Sequence, residues 1–167
     1  RLSDTKSSVV HCPTSNLFLG SGIFDMERMI KHRIKTGLGT DVGAGTSFSM
    51  FKTMAEAYKL SQLNGSSLAP SHLFYMATLG GADILGLSDN IGSLDEGKEA
   101  DFIVVNPSFL PILDNRVKKA GSLEEVLFAL MILGDDRVIE RCFIAGIDRT
   151  PPPCRPSDPD IGQHGTK

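Results

Sequence analysis

No apolar run in this sequence approaches the roughly 18 residues that a membrane-spanning helix needs. No charge of one sign dominates either: 17 Lys and Arg stand against 20 Asp and Glu, a formal net charge of -3. The first absence gives no helical membrane span. The second removes the electrostatic reason to expect nucleic acid or a membrane surface as partner. Cysteine is scarce. Cys12, Cys142 and Cys154 are odd in number and widely spaced, so they make neither a CxxC pair nor a disulfide framework, and a reducing cytoplasm is the expected setting. The polar start, Arg1-Leu2-Ser3-Asp4-Thr5-Lys6, has no apolar segment of the kind a signal peptide carries. It has no initiator Met, so the chain reads as a piece of something longer. The histidines show no HxH or HExxH spacing, and no internal repeat is present.

What is there is an ordinary globular composition over 167 residues, 41% hydrophobic and 22% charged, enough for one core. Ser7-Ser8-Val9-Val10-His11-Cys12 reads as a short buried strand closed by Pro13, with Thr14-Ser15-Asn16 supplying turn and capping groups. A helix is expected from Asp25 to Lys35, because Met26, Met29, Ile30 and Ile34 form one apolar stripe and Asp25 suits its N-cap. Gly37 is expected as its C-cap, and Thr36–Asp41 as the next strand. That makes a β-α-β unit with parallel strands.

A long helix is predicted over about Ser49–Leu63, and a second opening at Pro70 and interrupted by Gly80-Gly81. From Ser88 the chain becomes turn-rich. Ala100–Val105 and Val138–Ala145 read as strands, residues 108–121 as loop, and Leu123–Leu133 as a helix with the capping box Ser122/Glu125. After Gly146 periodicity is lost and five prolines crowd a polar tail, which is expected to be disordered.

The stretch with a claim to chemistry is Gly37-Leu38-Gly39-Thr40-Asp41-Val42-Gly43-Ala44-Gly45. A short strand delivers one carboxylate to its C-terminal end, where α/β enzymes place their sites. Spacing alone leaves two readings of Asp41 open: a loop residue capping the next helix, or a catalytic carboxylate to which small neighbours allow close approach. His11 reads as a structural histidine. A dyad with Cys12 is disfavoured because adjacent strand residues face opposite ways. His32 and His72 read as solvated, and Asp135-Asp136-Arg137 as a local salt bridge in a turn.

Several motifs together carry a resemblance. His11-Cys12-Pro13-Thr14-Ser15-Asn16, followed by Gly37-Leu38-Gly39-Thr40-Asp41, resembles the seventh and eighth strands of the metal-dependent amidohydrolase barrel. Ala77-Thr78-Leu79-Gly80-Gly81-Ala82 with Leu85-Gly86-Leu87 is similar to the helix after the last strand. Ile91-Gly92-Ser93-Leu94 with Gly97-Lys98-Glu99-Ala100-Asp101-Phe102 resembles the return into the flanking β-sandwich. Leu133-Gly134-Asp135-Asp136-Arg137, taken with Thr40–Gly45, resembles the guanine deaminase family in its bacterial form.

The resemblance implies an α/β fold: the C-terminal part of a (β/α)8 TIM-like barrel in residues 1–87, part of a composite β-sandwich with a helical insert in 88–146, and a disordered Pro-rich tail in 147–167. It implies hydrolysis of guanine to xanthine and ammonia at one Zn2+, in a cytoplasmic homodimer with no nucleic-acid or membrane partner. Asp41 is then both the metal contact and a proton-transfer group. The family's metal histidines and its purine-serving glutamate have no match in these residues, so the chain alone is expected to be inactive. Thr14, Ser15 and Asn16 either line the mouth of the site or cap structure. The rival readings are another deaminase or chlorohydrolase of the superfamily, and a non-catalytic remnant.

Overall fold

The computed structural model describes residues 1–152. Strands β1 (Val9–His11) and β2 (Thr36–Leu38) run parallel, with Val10 opposite Gly37 and His11 opposite Leu38. Two helices connect them, α1 (Pro13–Leu19) and α2 (Met26–Lys31). The expected β-α-β unit is there, with one helix more than predicted. Thr14-Ser15-Asn16 is not a free turn but the body of α1, which Pro13 opens at its first position, where the fixed φ and missing N–H suit a helix. Helix α2 has the expected cap, the Asp25 carboxylate accepting from the Arg28 N–H at 2.9 Å. It stops four residues short of Lys35, because Arg33 turns left-handed at φ 53° and Ile34 N–H bonds back to Met29. Gly37 is not a helix cap. It is the central residue of β2, where a Cβ would fall 2.5 Å from Ile84 Cδ1.

Helix α3 (Met50–Leu63) keeps its predicted limits: the Ser49 hydroxyl caps the start, and Gly65, at φ 79°, follows its end. Helices α4 (Pro70–Ala77) and α5 (Leu79–Ile84) break at Thr78 rather than at Gly80-Gly81. The Thr78 hydroxyl donates back to Phe74 O at 2.7 Å, a bond that competes with helix continuation. The two glycines lie inside α5, where a Cβ on Gly80 would come 2.9 Å from Tyr75 O.

The second sheet is antiparallel, in the order β3 (Phe102–Val105), β4 (Ile139–Ile144), β5 (Ile147–Asp148). Between β3 and β4, part of the stretch expected as loop forms α6 (Pro111–Lys118), with Pro111 at its first position and Leu113 fully buried. Helix α7 (Leu123–Leu133) carries the expected N-cap, the Ser122 hydroxyl accepting from Glu125 N–H, but the Glu125 carboxylate reaches one residue past the cap and accepts from Gly121 N–H. The expected disorder after Gly146 does not begin there. Ile147–Asp148 pairs with β4 through a turn at Ala145 and Gly146, and Arg149 N–H bonds Cys142 O at 2.8 Å. The rest of the proline-rich tail, from residue 153, lies outside the described residues together with Cys154 and His164.

The core sits among the helices. Met54 and Ala57 of α3, Leu73 and Met76 of α4, Leu113 of α6 and Met131 of α7 pack with Val138 in one cluster. Burying a large aliphatic side chain fully contributes about 1.5–3 kcal/mol, so this cluster holds the helices together and gives β2 a wall: Leu38 packs against it.

Candidate functional site

Both parallel strands end at one place. Gly39 N–H donates to His11 O at 3.0 Å, and the chain then turns sharply. Asp41 sits in the left-handed region at φ 48°, a conformation that costs L residues about 1–2 kcal/mol and that Asp tolerates better than most. Its carbonyl accepts from the N–H groups of both Ala44 and Gly45. Gly45 has no room for a side chain, since a Cβ would lie 1.8 Å from Thr40 O. The Thr14 hydroxyl of α1 reaches that same Thr40 carbonyl at 3.5 Å. The turn is therefore fixed from within by glycine and from beneath by α1. The Asp41 side chain is exposed and has no hydrogen-bond or ion-pair partner among the described residues.

The neighbours of Asp41 divide by strand face. Gly39 leaves an opening that a Cβ would fill, 2.7 Å from Val10 Cγ1 and 3.3 Å from Cys12 Sγ. Burial and, after it, the negative charge of Asp41 push the Cys12 thiol above its ordinary pKa, so the thiol is protonated at neutral pH and is no nucleophile. His11 stacks on Phe24 with ring centroids 4.4 Å apart. Burial lowers its pKa to about 4, so the ring is neutral, and its Nδ1 has no hydrogen-bond partner among the described residues. No bond between His11 and Cys12 side chains is present among those residues.

The remaining candidates are elsewhere. His32 ends α2 and His72 lies in the first turn of α4, both exposed. Asp135 is held by the Arg137 guanidinium, Nε to Oδ1 at 2.9 Å and Nη2 to Oδ2 at 2.7 Å. That pair keeps the Asp135 carboxyl below its usual range. This is the local salt bridge expected of the turn, not an acid/base pair. Sequence reading missed two contributors: the Thr14–Thr40 clamp and the closeness of Cys12 to Asp41. Both follow from the parallel register, which no local pattern encodes.

The amidohydrolase family profile matches residues 1–147. This chain belongs to the amidohydrolase family. Among curated amidohydrolases, it is 51% identical over 146 residues to the guanine deaminase of Escherichia coli (strain K12), a match covering 87% of this chain and 33% of that protein. The solved structure of E. coli guanine deaminase superposes with a TM-score of 0.87 at 50% identity, covering 90% of this chain and 35% of that one. Guanine deaminase from Bradyrhizobium japonicum superposes at 0.81 and 35% identity, covering 90% and 39%. An adenosine deaminase from Xanthomonas campestris, solved with bound zinc, superposes at 0.71 and 30% identity, covering 84% and 31%. The chain spans about a third of the length of the curated relatives it matches.

Family membership implies a metal, and the donor set tests that implication. A catalytic zinc takes three protein ligands and keeps a position open. Among the described residues no three His, Cys, Asp or Glu side chains are placed to hold one ion. Asp41 is the carboxylate that follows the parallel strand pair, and the nearby Cys12 thiol is protonated. These residues do not make up a zinc site by themselves.

Proposed function

We propose that this amidohydrolase chain is the C-terminal third of a guanine deaminase, which converts guanine and water to xanthine and ammonia. The observation that carries the reading is the 51% identity over 146 residues to the E. coli enzyme. On this reading residues 1–87 contribute the last two β-α units of a (β/α)8 barrel, and 88–146 part of the flanking β-sandwich. The complete enzyme is a cytoplasmic homodimer with one zinc per site, acting on the free base.

Asp41 is the residue this chain brings to the chemistry. Its place beyond the C-terminal end of β2 is where barrel enzymes set catalytic groups. An unpartnered carboxylate there is free to accept the proton of the attacking water and return it to the departing amine. It is also one oxygen donor toward the metal. The remaining donors are expected from the two-thirds of the relatives' length that this chain does not match.

The test is guanine-dependent ammonia and xanthine release by this chain co-expressed with the complementary part of E. coli guanine deaminase, with adenosine as the competing substrate. Turnover of guanine over adenosine is the expected result. Preference for adenosine overturns the substrate. Turnover by the chain alone overturns the division of the site.

A further inference from the structure

The carbonyl of Thr40 is gripped from two sides. On one, Gly45 approaches so closely that a Cβ there would lie 1.8 Å from the oxygen. On the other stands the Thr14 hydroxyl, which donates to that oxygen at 3.5 Å from 26 positions away in the sequence. Thr14 is buried, and this is its hydroxyl's one hydrogen bond among the described residues. Helix α1 has no side-chain cap, so the hydroxyl in its first turn does not serve the helix's own free N–H groups. It serves another element. The bond is neither of the uses expected for Thr14 from sequence, which were lining the mouth of the site or capping. A buried hydroxyl costs free energy unless it is bonded, and a valine would fill nearly the same volume without that cost.

What the bond holds is the plane of the Thr40–Asp41 peptide. Rotating that plane changes ψ of Thr40 and φ of Asp41 together. Asp41 stands at φ 48°, a region that an L residue leaves readily when nothing restrains it. The Asp41 carbonyl, accepting from Ala44 and Gly45 N–H, restrains the far side of the residue. The Thr14 hydroxyl restrains the near side. The carboxylate itself has no hydrogen-bond or ion-pair partner among the described residues. No side-chain contact there aims it, so its direction comes from the backbone alone.

We propose that Thr14 is a positioning residue for Asp41. Its hydroxyl stops the Thr40–Asp41 peptide from rotating, keeps Asp41 left-handed, and so fixes where the carboxylate stands beyond the ends of β1 and β2. The inference rests on the reading of Asp41 as the proton-transfer group. A carboxylate that must take a proton from water and return it to an amine works only within a narrow geometry. Thr14 touches no reacting atom and acts through Asp41.

The experiment compares Thr14→Val and Thr14→Ser in the complex of this chain with the complementary part of E. coli guanine deaminase. Thr14→Val should lower kcat about 10–100-fold, the scale of a displaced catalytic group, and leave KM within about twofold. Thr14→Ser, which keeps the hydroxyl, should restore kcat to within about threefold of the wild type. In the Asp41→Asn background, Thr14→Val should lower kcat no further, because its effect runs through that carboxylate. An unaffected kcat in Thr14→Val overturns the proposal. So does a serine variant as poor as the valine one, a rise in KM at constant kcat, or a valine loss that adds fully to that of Asp41→Asn.

A second measurement needs neither assembly nor turnover. In the 167-residue chain, amide exchange at Ala44 and Gly45 should be about tenfold faster in Thr14→Val than in the wild type or Thr14→Ser. Exchange at Ala57, buried in α3, should not change. Equal rates at the turn in all three forms, or exchange that quickens at Ala57 as well, overturn the proposal. A wild-type complex that turns over no guanine counts against the function reading alone, and the exchange rates still decide what Thr14 holds.

Discussion

The imidazole of His11 lies face to face with the ring of Phe24, 4.4 Å between centroids and 14° between planes. That stack seals a titratable group at the end of β1 and makes the fold sensitive to acid. The His11 pKa is lowered from 6.5 to about 4. A lowered histidine binds its proton more weakly in the folded chain than in the unfolded one. The stability it allows is therefore complete above pH 6.5 and is lost as pH falls from 6.5 toward 4. At 1.36 kcal/mol per unit, the loss attributable to His11 is about 3 kcal/mol. Urea midpoints of the wild type and His11→Phe across that range should show the variant losing less stability.

Gly45→Ala should destabilise the Asp41 turn by about 1–3 kcal/mol, the usual cost of forcing atoms into filled space, because its Cβ would meet Thr40 O at 1.8 Å. Gly121→Ala, where a Cβ meets nothing within 4 Å, is the control and should leave the melting midpoint nearly unchanged.

Leu113→Ala should cost about 2–5 kcal/mol, the range for truncating a buried leucine, since the side chain is fully buried. Its neighbour Ile112 is 68% exposed, and Ile112→Ala should stay within about 0.5 kcal/mol. Denaturant titration of the two variants tests directly whether 111–118 is a packed helix.

In the complex of this chain with the complementary part of the E. coli enzyme, Asp41→Asn should lower kcat by about 10²–10⁴-fold, the usual contribution of a positioned proton-transfer group. Asp135→Asn should leave kcat unchanged and reduce stability by no more than about 1 kcal/mol, because Arg137 is largely exposed and surface ion pairs contribute little.

Much of this architecture was legible from local chemistry. Ser49 and Ser122 mark the starts of α3 and α7, and Pro70 opens α4, because caps and first-turn prolines act within a few residues. Some misread elements are decided by contacts distant in sequence, others by local turns such as Arg33 and Thr78. Gly37 looks like a helix cap until Ile84, 47 positions later, is seen packing over it. Helix α6 has only one fully buried side chain, too little periodicity to stand out from a loop. At the site, Asp41 could be singled out from its place after a strand among glycines. Its surroundings could not be, because Cys12 and Thr14 reach it only through the β1–β2 register.

The two-residue pairing of β5 has a practical consequence for handling the molecule. Strand β4 is covered on one side by β3 and on the other only by Ile147–Asp148, with Arg149 and Thr150 tying off Cys142. A version of the chain shortened to Gly146 would bare the backbone of Phe143 and Ile144 beside an apolar face. It would then invite lateral strand addition between molecules. Residues 147–150, read from the sequence as the start of a disordered tail, cover that backbone instead.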